Sequence, residues 1–163
     1  MKKLCILLAL LLSACGYHLV GQGSGSGVIP ADAQQVVIVG DDHAWLKSVF
    51  TQTFKQSMDL PVVHASEVDA HTAEIHLENI SEQLNATAFD TSGIANQYQL
   101  TISAGLRVLQ GGKELWSMPN MAVYADVFAT GGSAEIEAQK VSVAKSLREE
   151  WARKAMARLR SGF

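Results

Sequence analysis

Cysteine is nearly missing from this 163-residue chain: Cys5 and Cys15 are the only two, and both fall within the first fifteen positions. Any body folded after them has no internal disulfide and no free thiol to serve as a nucleophile. Long apolar runs are missing too. The one uncharged stretch near the N-terminus, Leu4 to Leu12, is about nine residues, against the roughly twenty that a membrane-spanning helix needs. Catalytic signatures are equally scarce. There is no Gly-x-Ser-x-Gly, and the glycines from Gly21 to Gly27 follow no strand and end in no Gly-Lys-Ser/Thr, so they do not make a phosphate loop. The five histidines, His18, His43, His64, His71 and His76, show no i, i+4 pairing on a helix, and surface histidines explain them better than metal ligands. Asp41-Asp42 and Glu149-Glu150 read as helix capping and a solvated helix face. Neither a catalytic nor a metal site is expected.

What is present begins at the N-terminus. Lys2 and Lys3 precede the short apolar run, in the order and length of a secretory signal. It closes with Leu12-Ser13-Ala14-Cys15, which looks like the lipobox of bacterial lipoproteins: small residues enter the peptidase cleft and the thiol is acylated. An ordinary signal peptide with an accidental cysteine is the alternative, and the rarity of cysteine argues against it. The expected organisation is a removed signal peptide over 1–14, a lipidated Cys15 with a flexible Gly/Ser tether over 15–30, and one domain over 31–163. Single-chain acylation holds a protein to a membrane only marginally, and two or more chains hold it stably. By resemblance to such lipoproteins, Cys15 carries an N-acyl chain and an S-diacylglycerol group, and no other cofactor is expected. Gly16, where an Asp tends to signal inner-membrane retention, implies the outer membrane, with the body on the periplasmic side.

Basic residues are few in the body and crowded at its end. Without Lys2 and Lys3 the chain has eleven basic and sixteen acidic residues. From Cys15 to Glu137 the ratio is four to fourteen, and from Ala138 to Phe163 it is seven to two. A basic arm on an acidic body fits an anionic partner, or simply a solvated helix face. Export and an acidic total exclude nucleic acid.

Periodicity supplies the elements. Val36-Val37-Ile38-Val39 reads as a buried strand. Asp41 or Asp42 can cap a helix whose apolar positions run from Leu46 through Val49, Phe50 and Phe54 to Met58, before Pro61. Ala73, Ile75 and Leu77 alternate with polar residues as in a half-wet strand, which extends toward Phe89. Asp90-Thr91-Ser92-Gly93 is turn chemistry. Tyr98 to Val108 alternates most cleanly of all. Gly111-Gly112 makes a tight turn, and a strand from Glu114 to Phe128 should bulge near Pro119. Ser133 is a candidate cap for a last helix with the stripe Ile136, Val143, Ala144, Leu147, Trp151, Ala155 and Leu159. The expected fold is α+β: a two-layer α/β sandwich of order β-α-β-β-β-α, with both helices on one face of a mixed four-stranded sheet.

Two features point to binding rather than catalysis. One is the uncovered sheet face, rich in Gln, Thr and Ser, with plain solvent exposure as the alternative. The other is Lys140, Lys145 and Arg148, within about two turns of the last helix and suited to phosphate or carboxylate.

Cys15-Gly16-Tyr17-His18-Leu19 is similar to the mature start of the LptE (RlpB) family of outer-membrane lipopolysaccharide assembly lipoproteins. Ala95-Asn96-Gln97-Tyr98-Gln99-Leu100-Thr101-Ile102 resembles that family's central strand. Gly112-Lys113 falls at its following turn, and Glu150-Trp151, Ala155 and Leu159 match its last helix. The resemblance implies a non-enzymatic plug inside an LptD-type β-barrel, helping lipopolysaccharide into the outer leaflet. It also implies lipopolysaccharide contacts by basic residues, with Lys140 the best match. A second family position, just after a Phe in the central hairpin turn, is Asp90 here, which shifts that role toward Arg107 or Lys113. A lipid- or ligand-carrier lipoprotein is the rival reading and requires an apolar cavity of roughly 300 Å³ or more. An anchored hydrolase would need a nucleophile–base pair that the sequence does not display.

Overall fold

A computed structural model describes residues 27–40, 43–129 and 133–162. Its first strand, β1 (Gln35–Val39), is the β-branched run expected, with Val36, Val37 and Ile38 buried. Helix α1 (Ala44–Ser57) buries Leu46, Phe50 and Phe54, spaced four apart on one stripe. It stops as Met58 turns extended and its N–H donates to the Phe54 carbonyl. The expected caps Asp41 and Asp42 lie outside the described residues. His43 precedes the helix and makes no side-chain capping bond.

The chain then adds a strand that periodicity did not reveal. Past Pro61, β2 (Val62–Val63) pairs in parallel with β1 through Val36–Val62 and Val37–Val63. Two residues are too few to display an alternation, so the sheet has five strands rather than the four expected. A short 3₁₀ turn, Ala65–Glu67, leads on to three long antiparallel strands, β3 (Thr72–Phe89), β4 (Ala95–Gln110) and β5 (Lys113–Phe128). The spatial order is β2-β1-β3-β4-β5, with β1 parallel to both of its neighbours. Gly111 and Gly112, at φ 57° and 76°, make the two-residue turn between β4 and β5, the left-handed pair that such a hairpin requires.

Helix α2 (Ser133–Ser161) starts at Ser133 itself, not one residue after it. The expected stripe is buried from Ala144 to Leu159, with Ile136 and Val143 half-buried, and Ala152 and Met156 join it. Trp151 is its centre. The indole N–H donates to the Met121 carbonyl at 2.9 Å, and the ring meets Phe50 of α1 edge-on at 6.0 Å. One side chain thus joins both helices to β5, and aromatic pairs of this geometry add about 0.5–1.5 kcal/mol to simple burial. Both helices lie on one face of the sheet, as expected of a two-layer α+β fold.

Two bulges shape the sheet. In β3, Asn79 and Ile80 together oppose one residue of β4, because Glu78 pairs with Gly105 and Ser81 with Ser103; Asn79 takes φ 51° to do so. In β5, Pro119 and Asn120 together oppose Gly105, the bulge expected from the proline. Gly105 is required there: a Cβ would sit 2.7 Å from the Pro119 carbonyl oxygen and 3.0 Å from that of Met118.

Thr72 is the buried polar residue among those described, at 1 % exposure. Its hydroxyl donates to Asp69 Oδ1 at 2.7 Å and accepts from the Asp69 N–H and from Gln35 Nε2, both at 2.9 Å. The hydroxyl contact, aided by the His71 N–H, holds the Asp69 carboxyl below the ordinary carboxylate range, with desolvation acting the other way.

Gly105→Ala is expected to destabilise the fold by about 1–3 kcal/mol, because backbone atoms and not a flexible side chain oppose the new methyl; the urea midpoint measures this. Thr72→Val removes the acceptor of the Asp69 N–H and one of the two acceptors of the Gln35 amide, which still donates to the Glu67 carbonyl at 2.9 Å, and should cost about 1 kcal/mol. The lowered pKa of Asp69 stabilises the native state above the unfolded value of roughly 3.9, and this is lost as pH falls through the lower folded value. The variant should therefore show a flatter decline than wild type in acid unfolding below about pH 4.

Candidate functional site

The uncovered sheet face follows from alternation. Residues Leu100, Ile102, Ala104, Leu106 and Val108 of β4 point to the helices and are buried, so Gln99, Thr101, Ser103 and Arg107 point away. That face divides into two zones. Toward the Gly111 turn, the proximal end, it is ionic. Arg107 donates through Nε to Glu78 Oε1 at 2.8 Å, forms a second contact with the same oxygen through Nη2, and lies 3.6 Å from Glu114. Its pKa is raised, first by the Glu78 hydrogen bond. His76 sits 3.2 Å from Glu74 in the same zone.

Toward the Asp90 turn, the distal end, the face changes. Cross-strand rows there read Ser81–Ser103, Gln83–Thr101 and Asn85–Gln99, continuing to Tyr124 and Asp126 on β5. Amides and hydroxyls dominate. The expected Gln-, Thr- and Ser-rich surface is therefore the distal half, with Asp126 at its border, and the proximal half is a network of salt bridges.

The distal end also exposes large apolar groups that pattern reading did not single out. Phe89 is 61 % and Ile94 66 % exposed at the hairpin tip, with Tyr124 at 67 %, Phe128 at 49 % and Val141 at 69 %. Single exposed apolar residues mean little, but a group at one end of a molecule marks a contact surface. Between Phe89 and Ile94, Asp90 Oδ1 accepts the N–H groups of Ser92 at 2.8 Å and Ile94 at 2.9 Å. The acid at this position builds the turn, which accounts for an aspartate where the LptE family resemblance implies a base.

The basic residues singled out from the sequence do not converge. Lys113 lies at the proximal turn, paired across the hairpin with Gln110. Lys140 lies at the distal end: its neighbour Gln139 accepts the Phe128 N–H at 3.3 Å, and Lys140 Nζ is 3.8 Å from Glu137. At about 3.3 Å per residue along β4, the two are on the order of 40 Å apart. Arg107 is between them, occupied by two carboxylates. Arg148 separates from Lys140 and Lys145 as well. It turns inward, 2.7 Å from Glu82 of β3, with its guanidinium 4.3 Å over the Trp45 ring of α1. That stacked, paired arginine bolts α1, α2 and β3 together. No sequence spacing predicts it, since residues 45, 82 and 148 meet only in the fold. Lys145 remains exposed.

Beyond this face an open hollow of about 580 Å³, mostly apolar in its lining, runs along the exposed side of α1 over Lys47, Thr51 and Lys55, and two clefts accompany it. One of about 300 Å³ runs between α1 and the β1–β2 edge, with valines on its floor and Lys47 and Lys55 on its wall. Another of about 460 Å³ opens where β1 parts from β3, around His43, Glu78 and Asn79. Both are mixed in polarity. Among the described residues no group of three or more metal-ligating side chains converges, and no helix is long and apolar enough to cross a membrane. Cys15 lies outside the described residues. Its side of the chain is placed by Val28, whose N–H donates to the Leu159 carbonyl at 2.9 Å, so the body is entered at the proximal end.

A two-layer sandwich with one long open hairpin face belongs to a class seen in solved bacterial lipoproteins. The chain shares its fold with lipoprotein B of Nitrosomonas europaea (TM-score 0.69, 14 % identity, covering 86 % of this chain and 91 % of that one). It shares it also with the rare lipoprotein B of Shewanella oneidensis (TM-score 0.63, 16 % identity, 76 % and 93 %) and a minor lipoprotein of Acinetobacter baumannii (TM-score 0.64, 6 % identity, 79 % and 92 %). No family model and no curated protein matches the sequence.

Arg107→Ala should leave thermal and urea unfolding nearly unchanged, since its pairs are part-exposed and screened by solvent. Its effect on binding of a phosphate-bearing lipid should stay within about twofold, because the guanidinium is already engaged; surface plasmon resonance would measure that.

Proposed function

We propose that this chain is an LptE-type outer-membrane lipoprotein, held by an acylated Cys15 on the periplasmic side, that plugs and helps assemble an LptD-type β-barrel and assists lipopolysaccharide insertion into the outer leaflet. It does so without catalysis. The observation that carries the reading is the distal half of the open sheet face, a broad surface of amides and hydroxyls with no helix over it and an aromatic rim at its end. A barrel lumen is polar and strand-walled, and such a surface fits it better than it fits a membrane or an apolar ligand. The lipoprotein B fold and the Cys15-Gly16-Tyr17-His18-Leu19 resemblance support the same reading.

Orientation follows from the ends of the molecule. The described chain begins at the proximal end, where the Val28 N–H meets the Leu159 carbonyl, and the apolar tip lies at the opposite end of the long hairpin. Residues 15–26 can extend to about 40 Å at 3.3 Å each, enough slack for the body to enter a barrel while Cys15 stays in the leaflet. Lys140, on the distal half of α2, is the basic residue we assign to the lipopolysaccharide contact; Arg107 is engaged and Lys113 faces the other end. The rival, a lipid carrier, calls for an enclosed apolar cavity, whereas the 580 Å³ hollow on α1 is an open surface lined by that one helix, and lysines wall the 300 Å³ cleft beside it.

Purified from outer membranes in mild detergent, the protein should bring down a barrel of LptD type; recovery as a monomer loaded with lipid would overturn the plug reading. Lys140→Asp should weaken lipopolysaccharide binding about tenfold, the scale of one reversed charge contact, while the barrel complex still forms. Unchanged binding would remove Lys140 as a contact.

A further inference from the structure

The sheet has two lateral edges along its long strands, and they are not alike. β5 is guarded: Pro119 interrupts it, a second irregularity falls at Leu115, and Lys113, Glu114 and Asp126 are spaced along it. Proline, bulges and charges are how an edge is kept from pairing with another chain. β3 lacks most of this. β1 covers it only from Thr72 to His76, and from Leu77 to Phe89 no strand of the described residues lies on its outer side. Two bulges bracket that open length, one at Asn79 and one near Thr87, and between them Ser81 to Ala86 pairs with β4 without a break. This six-residue window has no proline and one charge, and that charge, Glu82, is tied to Arg148. Helix α2 packs chiefly on β4 and β5, and α1 on α2 and β1, which leaves the edge uncovered.

We propose that the Ser81–Ala86 edge pairs with the same edge of a second copy, antiparallel about a two-fold axis through Leu84, to give one continuous ten-stranded sheet. The alternation selects that register. A two-fold perpendicular to the sheet keeps helix-side residues with helix-side residues, so the paired numbers must share parity. Centred on Leu84, Leu84 meets its own copy and Gln83 meets Asn85, apolar beside apolar and amide beside amide, while Glu82 falls opposite Ala86 and stays tied to Arg148. Centred on Gln83, Leu84 would face Glu82. Centred on Asn85, the pairing would run into the bulge at Thr87. Exposure agrees, since Gln83, Asn85 and Ala86 are exposed and Leu84 is half-covered. Five residues of strand, Glu82 to Ala86, are a small interface beside the roughly 1,600 Å² of a stable complex. The dimer is therefore weak, concentration-dependent and a state of chains not seated in a barrel, since the proposed plug would enclose this distal half.

Sedimentation velocity of the full mature lipoprotein in density-matched detergent tests this. The protein mass should double between about 10 and 500 μM, a Kd range that suits so small an interface. Gln83→Lys with Asn85→Lys puts like charges opposite each other twice and should leave a monomer with unchanged circular dichroism. Gln83→Lys with Asn85→Glu puts opposite charges there in this register alone and should restore the dimer at lower concentration than wild type. A wild type that stays monomeric throughout overturns the proposal and leaves the edge for an extended segment of another protein. A dimer indifferent to the paired lysines overturns it too, as does a failure of the lysine–glutamate pair to restore association. Should the paired lysines disturb folding, hydrogen exchange on wild type decides. Protection of the Ser81–Ala86 amides that rises with concentration supports the edge, and protection that stays constant refutes it.

Discussion

The bulge at Asn79 decides which side of the sheet every later residue of β3 faces. Before it, Ala73, Ile75 and Leu77 look toward the helices. After it, Ile80, Glu82 and Leu84 do, because two residues of β3 are spent against one of β4. A regular strand would carry the first parity onward. Gln83 and Asn85 would then lie under the helices, and Glu82 and Leu84 would face the open side. The extra residue also takes a left-handed conformation that asparagine tolerates better than most. From this one irregularity follow the amide rows of the distal face, the inward Glu82, and the regular six-residue edge beyond it.

The inward Glu82 in turn gives Arg148 a partner. Arginine stacks on an aromatic face and still presents its N–H groups to a carboxylate, and here it does both, over Trp45 and against Glu82. The pairing draws α1, α2 and the free half of β3 to one point. Trp151 does the same work deeper in, where α2 meets α1 and β5. The two contacts differ in kind. Trp151 is wholly buried and acts mainly through its area and the Phe50 edge, whereas Arg148 is partly exposed and acts through geometry, so its share of stability is the smaller.

How much of this could be read from the chain depends on the range of each cause. Local causes were legible. A continuous β-branched run gave β1, alternation gave β4 and the first half of β3, Gly111-Gly112 gave the hairpin, Pro119 gave its bulge, and helical spacing gave both helices. β2 was illegible because two residues show no period. The Asn79 bulge was illegible because Ile80 and Leu84 look like noise once the alternation breaks. For the site, the polar open face was foreseen, but its division into an ionic and an amide half was not. Arg107 is a free base in the sequence, and only the register that sets it beside Glu78 and Glu114 makes it a structural one. Arg148 was misgrouped with Lys140 and Lys145 for the same reason: three positions close along a helix point in different directions, and what each one meets is decided by strands far away in the chain.

That redistribution of charge bears on how an acidic body could serve an anionic ligand. Of the four bases before Glu137, Arg107 is neutralised by its neighbours, and the arm at the end loses Arg148 to Glu82. Lys154 pairs with Glu150 at 2.7 Å on the exposed side of α2. The cations left to the surface are dispersed, not gathered, so attraction over distance is weak at physiological salt, where screening sets in within about 8 Å. In the plug reading proposed for this chain, contact with a phosphate-bearing lipid would rest on short range at one end of the molecule, where Lys140 stands near exposed Phe128 and Val141. A single cation beside apolar groups favours an amphiphile over a free anion, because the aromatic and aliphatic surfaces gain only if acyl chain accompanies the headgroup. The long hairpin separates that end from the place where the described chain begins, at Val28 beside Leu159, so the surface proposed to meet lipid and the entry of the chain lie apart.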